Sequence, residues 1–319
     1  MSKNISKVVM AMAAVLLLAA CGKKTEESIP SVSENEEPVV VTEEKKSIVV
    51  PEDREWTVSE NLVVKLSGFA QLEEYDEETA TIISVHGDQV EITGEGAICE
   101  GRRIIIGQEG CYVVRGESDN ARIVVDAEGA KVQLVLDNVQ LTAGDGAVIY
   151  GKEAKKISIT CPAGTENTLT DYVFYSDDKE KAAIYATCDL YLNGTGTLRI
   201  KGNYKHGIAT KDDLKIYHVT LDVDASEHAL KGTDSILVVE SNVTLYAGTD
   251  GCHVKNEEDE NKGTLVVLDS YLYVTAEDDC LQVPQAIILQ GSEVICRCYD
   301  KIVNCDGYLE GTDDIKVWR

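Results

Sequence analysis

Two consecutive segments of the chain share one pattern: GIATKDDLKIYHVTLDVDASEH at residues 207–228 and ALKGTDSILVVESNVTLYAGTD at residues 229–250. Each begins with a small residue followed by an apolar one, and each then contains two short runs in which apolar and polar residues alternate. Alternation with a period of two predicts β-strands that bury one side and expose the other. The two segments therefore predict a repeating unit made of short strands.

The same unit recurs on both sides of these segments. Successive units place their first apolar residue at Ile184, Ile208, Leu230, Cys252 and Leu281. The steps are 24, 22, 22 and 29 residues, and the longest contains an acidic insertion at 256–262. A strand repeat of this length without a helical pattern is typical of a β-solenoid, in which coils stack and equivalent side chains form columns. We therefore predict an all-β fold, a parallel β-helix with coils of about 22 residues.

The first 21 residues have the features of a signal for export and lipid attachment. Lys3 and Lys7 precede an apolar run at 8–20, and the sequence LAAC occupies 18–21. The run has the length of a signal-peptide core and is shorter than the roughly 20 apolar residues that span a membrane. LAAC resembles a bacterial lipobox, which predicts lipidation of Cys21 and a lipid-anchored location on the extracytoplasmic face of a bacterial cell membrane. The alternative is an ordinary secretory signal with a cysteine at this position by chance.

Composition and the repeat suggest the domain boundaries. Residues 22–55 combine like charges, prolines and low hydrophobicity, which predicts an acidic disordered linker. Looser alternation at 56–121 predicts an N-terminal β cap or early coils, and the parallel β-helix proper is expected at 122–319. We expect a monomer.

The chain is strongly acidic. Its 319 residues include 30 lysines and arginines against 56 aspartates and glutamates, which gives a formal net charge of −26. This excess argues against nucleic acid as a partner, because phosphate contacts need clustered lysines and arginines. It also disfavours an acidic polymer as a partner unless a cation lies between the two. Ca²⁺, which takes several oxygen ligands, is the cation that we expect.

Stacked coils would bring acidic side chains from different units together. One predicted column contains His206, His228, Asp250 and Asp279, and a second contains Asp212, Asp234 and Asn256. Neighbouring coils lie about 4.8 Å apart, so carboxylates in one column repel each other unless a cation or a neutral group separates them. We therefore predict Ca²⁺ ligands among these columns and their neighbours: Asp212, Asp213, Asp234, Asp250, Asn256, Glu258, Asp259, Asp278 and Asp279. The alternative is that these residues only form turns, which favour Asp and Asn.

Several strings resemble one protein family in both sequence and order. They are VVDA at 124–127, VQLVLDNV at 132–139, GTENTLTD at 164–171, NGTGTL at 193–198, GNYKHGI at 202–208 and KDDLKI at 211–216. These strings resemble the bacterial carbohydrate-binding-domain proteins, whose fold is a right-handed parallel β-helix related to calcium-dependent pectate lyases. The resemblance covers roughly residues 60–319. The chain departs from the family's usual DGLK and DGIK at HALK, 228–231, and at DGCH, 250–253.

The resemblance implies binding of plant-type polysaccharide, including acidic pectic chains, with bound Ca²⁺. Together with the lipobox-like sequence, it predicts a surface lipoprotein. The residues expected to contact the polysaccharide are Tyr204, His206, Lys211, Lys231 and His253. The rings of Tyr191, Tyr217, Tyr246 and Tyr273 alternate with apolar positions, so we expect them to face outward, where they could stack on sugar rings.

Two other functions are left open by the sequence. One is a calcium-dependent polysaccharide lyase in which Lys211 or Lys231 removes the proton next to a uronate carboxyl group. A lysine beside carboxylates normally keeps a high pKa and is a poor base, so we expect a non-catalytic binding protein. The other is a non-catalytic adhesin or structural surface protein.

Overall fold

The computed structural model describes residues 48–59, 62–259 and 261–318. The predicted signal, the lipidation site at Cys21 and most of the predicted linker lie outside these residues. Within the described ranges, no helix has the length and apolar character needed to cross a membrane.

Short strands account for nearly all regular structure. The strands in the first half are β1 (Arg54–Ser59), β2 (Leu62–Leu66), β3 (Thr81–His86), β4 (Gln89–Thr93), β5 (Ala97–Glu100), β6 (Arg103–Ile106), β7 (Gly110–Ser118), β8 (Arg122–Asp126), β9 (Lys131–Thr142), β10 (Ile149–Glu153), β11 (Lys156–Thr160) and β12 (Glu166–Thr170). The remaining strands are β13 (Ala182–Ala186), β14 (Asp189–Asn193), β15 (Thr197–Gly202), β16 (His206–Thr210), β17 (Asp213–Tyr217), β18 (Thr220–Ala225), β19 (Leu230–Gly232), β20 (Ser235–Val239), β21 (Asn242–Ala247), β22 (Cys252–Val254), β23 (Thr264–Leu268), β24 (Tyr271–Ala276), β25 (Leu281–Gln282), β26 (Ala286–Gln290), β27 (Glu293–Cys298), β28 (Val303–Asn304), β29 (Tyr308–Glu310) and β30 (Lys316–Val317). Two 3₁₀ helices, Gly68–Gln71 and Thr312–Asp314, complete the described elements.

Three sheets of stacked strands make up a parallel β-helix, as the repeat predicts. The first sheet has the order β5-β6-β8-β10-β13-β16-β19-β22-β25-β28. The second sheet contains β11, β14, β17, β20, β23, β26 and β29, and the third contains β12, β15, β18, β21, β24, β27 and β30. The long strand β9 pairs with both β11 and β12, so it links the second and third sheets at the N-terminal end.

The register follows the spacing read from the sequence. The paired residues in the first sheet are Ile184, Ile208, Leu230, Cys252 and Leu281, one in each successive coil. Their side chains are 0–1% exposed and lie in one continuous apolar core. The acidic insertion is accommodated in the loop between β22 and β23 and does not disturb this pairing.

Small residues at the start of each unit have a steric cause. A Cβ atom on Gly251 would lie 2.2 Å from Cγ1 of Val274 and 2.7 Å from the carbonyl oxygen of Cys280. The turns between the second and third sheets impose a different constraint, because His218, Glu240 and Asp269 have φ values of 56°, 48° and 47°. These are left-handed conformations that usually favour glycine, asparagine or aspartate.

A β-hairpin covers the outer side of the second sheet. Strands β1 and β2 pair antiparallel, and Val58 and Leu66 pack against outward-facing residues of β14, β20, β23 and β26. The ion pair between Arg54 and Glu240, 2.8 Å long, ties β1 to a turn of the β-helix. The paired chain therefore starts at Arg54, inside the range predicted as linker, and the hairpin lies along the side of the helix.

This hairpin corrects the prediction made for two tyrosines. Tyr191 and Tyr217 do project away from the central core, but Tyr191 is only 1% exposed and Tyr217 packs against the same hairpin cluster. Tyr191 contacts Phe69 edge-to-face at 6.1 Å and accepts a hydrogen bond from Lys156. The Tyr191 ring is therefore covered by protein and cannot stack on a sugar, and the Tyr217 ring is only partly exposed.

Candidate functional site

Two adjacent columns on the outer side of the first sheet bring most of the predicted residues together. Backbone hydrogen bonds between coils align the first column: His206, His228, Asp250 and Asp279. Strand pairing aligns the second column: Lys231, His253, Gln282 and Asn304. The predicted column of His206, His228, Asp250 and Asp279 is thus present. The column that begins at Lys231 and His253 continues through two amide side chains that sequence reasoning missed. Extending the steps of 29 and 22 residues from His253 would have found them.

Asp250 is the centre of this site. Its side chain is almost completely buried, and its Oδ1 accepts a hydrogen bond of 3.2 Å from the backbone N–H of Asp279. Its Oδ2 lies 3.1 Å from Nδ1 of His228 and 2.8 Å from Nδ1 of His253. Burial alone would raise the pKa of Asp250, but the hydrogen bonds from the two histidines hold it well below its usual range. Asp250 is therefore a buried carboxylate anion shared by three coils.

Three imidazole rings form a stack beside this carboxylate. The centroids of His206 and His228 are 4.7 Å apart, and those of His228 and His253 are 4.2 Å apart. His206 is only 4% exposed, and burial followed by the charge of Lys231 lowers its pKa to about 2. The prediction that His206 contacts polysaccharide is therefore wrong for its side chain, because neighbouring residues cover it.

Lys231 has an unusual environment for a lysine near carboxylates. Its Nζ lies 3.4 Å from Nε2 of His206, which is neutral and can accept a hydrogen bond. Burial lowers the pKa of Lys231, and the positive charges of Lys255 and Lys181 act in the same direction, against Glu227 and Asp250. The expectation that nearby carboxylates keep this pKa high is therefore wrong, because desolvation outweighs them.

Three carboxylates meet at the C-terminal side of Asp250. Oxygen atoms of Asp250, Asp278 and Asp279 lie within 4.8 Å of one another. Asp279 is buried, accepting hydrogen bonds from the backbone of Lys301 at 2.9 Å and from Asn304 at 2.5 Å, whereas Asp278 is exposed. Desolvation and the charges of Asp250 and Asp279 raise the pKa of Asp278. This set of oxygen donors fits a hard cation such as Ca²⁺.

The second predicted metal column is arranged differently. Asp234 accepts hydrogen bonds from Lys262 at 2.6 Å and from Asn256 at 2.8 Å, so a lysine supplies the positive charge that was expected from a metal. Oδ1 of Asn256 accepts the backbone N–H groups of Glu258 and Asp259, which shapes the inserted loop. The observed contacts therefore support a structural role for Asn256, Glu258 and Asp259.

Asp212 belongs to this column, and Asp213 adjoins it. Asp213 accepts a hydrogen bond from Ser235 at 2.6 Å and lies 3.1 Å from Lys215. Burial, followed by the charge of Asp189 and the contact with Asp234, raises the pKa of Asp212 to about 6. Ionised Asp212 therefore opposes folding at neutral pH.

We expect Asp212→Asn to stabilise the protein at neutral pH. Folding raises the pKa of Asp212, so its protonated carboxyl group favours the folded state at low pH. This contribution to the free energy of unfolding is lost as the pH rises through about 6. The variant and the wild type should have equal stability near pH 4, and the variant should be about 1 kcal/mol more stable near pH 7.5, after allowance for solvent screening. Urea denaturation at both pH values measures this, with Asp224→Asn at an exposed position as the control. A loss of stability at pH 7.5 would contradict it.

Two predicted contact residues, Lys211 and Tyr204, have other surroundings. Lys211 is exposed and follows the C-terminal end of β16, whereas His206 begins that strand, so five residues of extended chain, about 16 Å, separate their backbones. Tyr204 stacks on Tyr175 with a centroid distance of 4.3 Å, in the turn that precedes β16. The structure therefore brings His206, Lys231 and His253 together, and it leaves Lys211 outside the group.

A polar groove continues from this site toward the C-terminal coils. It has a volume of about 460 Å³. His253, Gln282 and Asn304, from the column that begins at Lys231, are among its lining residues. Imidazole and amide groups can each donate and accept hydrogen bonds, as sugar hydroxyl groups can. The groove therefore presents a row of suitable groups, one from each coil.

Comparison with known proteins agrees with this fold. A family model described as "Carbohydrate-binding domain-containing protein" matches residues 100–307. The chain belongs to this family. A relative of the same description from Acetivibrio thermocellus is 32% identical over 221 residues, which cover 67% of this chain and 77% of the relative.

A solved structure is also similar. It is titled as the polysaccharide lyase-like protein from C. thermocellum, in a gadolinium derivative. The TM-score is 0.70 with 29% sequence identity, and the match covers 75% of this chain and all of that structure. Family membership and the fold are thus supported by both sequence and structure.

Proposed function

We propose that the protein binds polysaccharide along the outer side of the first sheet. The observation that supports this most directly is the row formed by Lys231, His253, Gln282 and Asn304 beside the groove of about 460 Å³. Coils repeat about every 4.8 Å, so the row offers hydrogen-bonding groups at regular intervals, which suits a polymer with a repeating unit. Membership of a carbohydrate-binding family supports the same conclusion.

The proposed ligand is an acidic, pectin-like polysaccharide held with the help of Ca²⁺. Asp250, Asp278 and Asp279 would hold the cation, because their carboxylate oxygens already lie within 4.8 Å of one another. Bound Ca²⁺ would supply positive charge on an otherwise acidic surface, and a carboxylate of the ligand could complete its coordination. Asp278, being exposed, lies on the side from which such a ligand would arrive.

We also propose that the domain is displayed outside the cell on a lipid anchor. The basis is the lipobox-like LAAC sequence at 18–21, followed by an acidic segment with little apolar content. An acylated cysteine would hold the chain at the membrane, and an extended linker would keep the β-helix away from it.

Calcium binding is tested by Asp278→Asn. Because one of three carboxylates loses its charge, we expect Ca²⁺ affinity to fall by about tenfold or more. Isothermal titration with Ca²⁺ measures this, and Asp224→Asn, at an exposed site on β18, should bind as the wild type does. Equal affinities for wild type and Asp278→Asn would contradict the assignment of this ligand.

Polysaccharide binding is tested separately. A glycan array identifies the class of sugar, and affinity electrophoresis through polygalacturonate, with Ca²⁺ or with EGTA, tests the acidic ligand. Binding that EGTA abolishes is the expected result, and the double variant Gln282→Ala/Asn304→Ala should weaken it. An array without any bound glycan would argue against carbohydrate binding and favour an adhesin or structural protein.

One observation favours polysaccharide lyase activity as a second candidate. Lys231 is half-buried, contacts neutral His206 and pairs with His253, which contacts the proposed Ca²⁺ ligand Asp250. A neutral lysine could remove the proton next to a uronate carboxyl group, after which the bond to the leaving sugar oxygen breaks and a carbon–carbon double bond forms. The ultraviolet absorbance of the unsaturated product on polygalacturonate with Ca²⁺ tests this. Activity that Lys231→Arg retains would exclude Lys231 as a neutral base, because arginine keeps its proton.

A further inference from the structure

A second group of metal-binding side chains shares Asp250 but contains nitrogen. Ligand atoms of His228, Asp250 and His253 lie within 4.8 Å of one another, and both histidine Nδ1 atoms point to the same oxygen, Oδ2 of Asp250. The three side chains are 15%, 3% and 16% exposed. They are therefore largely shielded from water, and two of them retain a path to solvent.

The surroundings hold these three side chains in place. The rings of His228 and His253 stack at 4.2 Å with an angle of 20° between them, which restricts their rotation. The backbone N–H of Asp279 fixes Oδ1 of Asp250, so Oδ2 is directed toward the histidines. Hydrogen bonds of this kind orient ligands in metal sites. The hydroxyl oxygen of Thr249, 2.8 Å from Nδ1 of His228, is a further oxygen at the same position.

The donor chemistry differs from that of the calcium candidate. Two imidazole nitrogens and one carboxylate oxygen suit borderline divalent ions such as Zn²⁺, whereas Ca²⁺ prefers oxygen ligands alone. Zinc bonds to nitrogen and oxygen are about 2.0–2.2 Å long, so two ligands of one tetrahedral ion lie roughly 3.3–3.6 Å apart. The observed separations of 2.8 and 3.1 Å from Oδ2 are hydrogen-bond distances, and they would widen by about 0.5 Å when an ion replaces the shared protons.

We propose that His228, Asp250 and His253 form a binding site for a divalent transition-metal ion of the Zn²⁺ class. The ion would occupy the Oδ2 side of Asp250, next to the two imidazole rings. Because His253 also lines the polar groove, a remaining coordination position would be open to water or to an oxygen ligand in the groove. This inference stands independently of carbohydrate binding.

Paired variants separate the two metal assignments. His253→Asn and His228→Asn should each weaken Zn²⁺ binding at least tenfold in isothermal titration and change Ca²⁺ affinity much less, because Asp250 keeps its charge at neutral pH. Asp278→Asn should do the reverse, and His86→Asn, at an exposed histidine in β3, should change neither. Zn²⁺ affinities of both histidine variants equal to that of the wild type would overturn the proposal.

A spectroscopic measurement excludes binding to thiols, since nine cysteines in the described chain are free and Cys99 is exposed. Co²⁺ bound through nitrogen and oxygen gives visible absorption without the near-ultraviolet charge-transfer band of a thiolate. We expect that spectrum from the wild type, and its loss in His253→Asn. A spectrum with the thiolate band that persists in His253→Asn would place the metal elsewhere and refute the site.

Chemical modification of histidines in the wild-type protein tests the site without a variant that could fail to fold. Diethyl pyrocarbonate modifies accessible histidine nitrogens, and mass spectrometry reports each site. Zn²⁺ should slow modification of His228 and His253 several-fold and leave the rate at His86 unchanged. Equal rates at all three positions with and without Zn²⁺ would refute the site even if the variants did not fold.

Discussion

Asp250→Ala is expected to lower the free energy of unfolding by about 3–5 kcal/mol, the cost of removing one partner from a buried charged group. The substitution leaves the backbone N–H of Asp279 and the N–H groups of His228 and His253 without their shared acceptor. Water has little access to these donors, so they regain few of the lost hydrogen bonds. Urea denaturation in EGTA-containing buffer at neutral pH measures the change without a contribution from bound metal.

Asp224→Ala is the matched control for this prediction, because it removes an exposed aspartate from the third sheet of the same region. Its effect should stay within about 0.5 kcal/mol. An effect of Asp250→Ala below about 1 kcal/mol would mean that the histidines and the Asp279 backbone find other partners, which would contradict the role assigned to this carboxylate.

The contribution of the Asp250 carboxylate to the free energy of unfolding depends on pH. Because folding lowers the pKa of Asp250, its contribution to stability is complete above about pH 5 and declines as the pH falls below about 4. The difference between wild type and Asp250→Ala should therefore shrink on acidification. A difference that stays constant down to the acid transition would contradict this linkage.

Leu66→Ala is expected to weaken the docking of the β1–β2 hairpin by about 2–5 kcal/mol, the usual cost of truncating a buried leucine. Leu66 is fully buried and belongs to the cluster that Val58 and Tyr191 form with the outer side of the second sheet. Because the central core does not include this leucine, we expect the hairpin to open while the β-helix stays folded.

Limited trypsin cleavage after Lys65 measures this opening. Since about 1.4 kcal/mol corresponds to a tenfold change in an equilibrium constant, cleavage of Leu66→Ala should be more than ten times faster than that of the wild type. Val63→Ala, at a position of the same strand that is 50% exposed, should be cleaved at the wild-type rate. Equal rates for Leu66→Ala and Val63→Ala would contradict the docking.

The sequence predicted the coil architecture because the spacing of apolar residues is a local property that stacking repeats. Ile208, Leu230 and Cys252 pair at the predicted register, and the step of 29 residues to Leu281 still ends in the same column. The neighbouring columns of His206, Asp250 and Lys231 were predictable for the same reason. In a β-helix, residues separated by one repeat length occupy equivalent positions in successive coils, so the sequence spacing predicts which residues are neighbours on the surface.

Contacts between side chains could not be read from this spacing. The sequence alone did not show that Lys262 would neutralise Asp234, because the inserted loop turns back on the column through hydrogen bonds to Asn256. It also did not show that burial would lower the pKa of Lys231. Both depend on which atoms exclude water around a charge, and that is set by several coils together.

The sequence by itself determined the all-β class, the coil length and the columns in which polar residues recur. Only the tertiary structure decided that the β1–β2 hairpin covers Tyr191, that three imidazole rings stack, and that Asp250 serves two clusters of different donor chemistry. The physical reason is that periodicity fixes the backbone position of a residue. Its exposure, protonation and partners depend on segments that are distant in sequence and close in space.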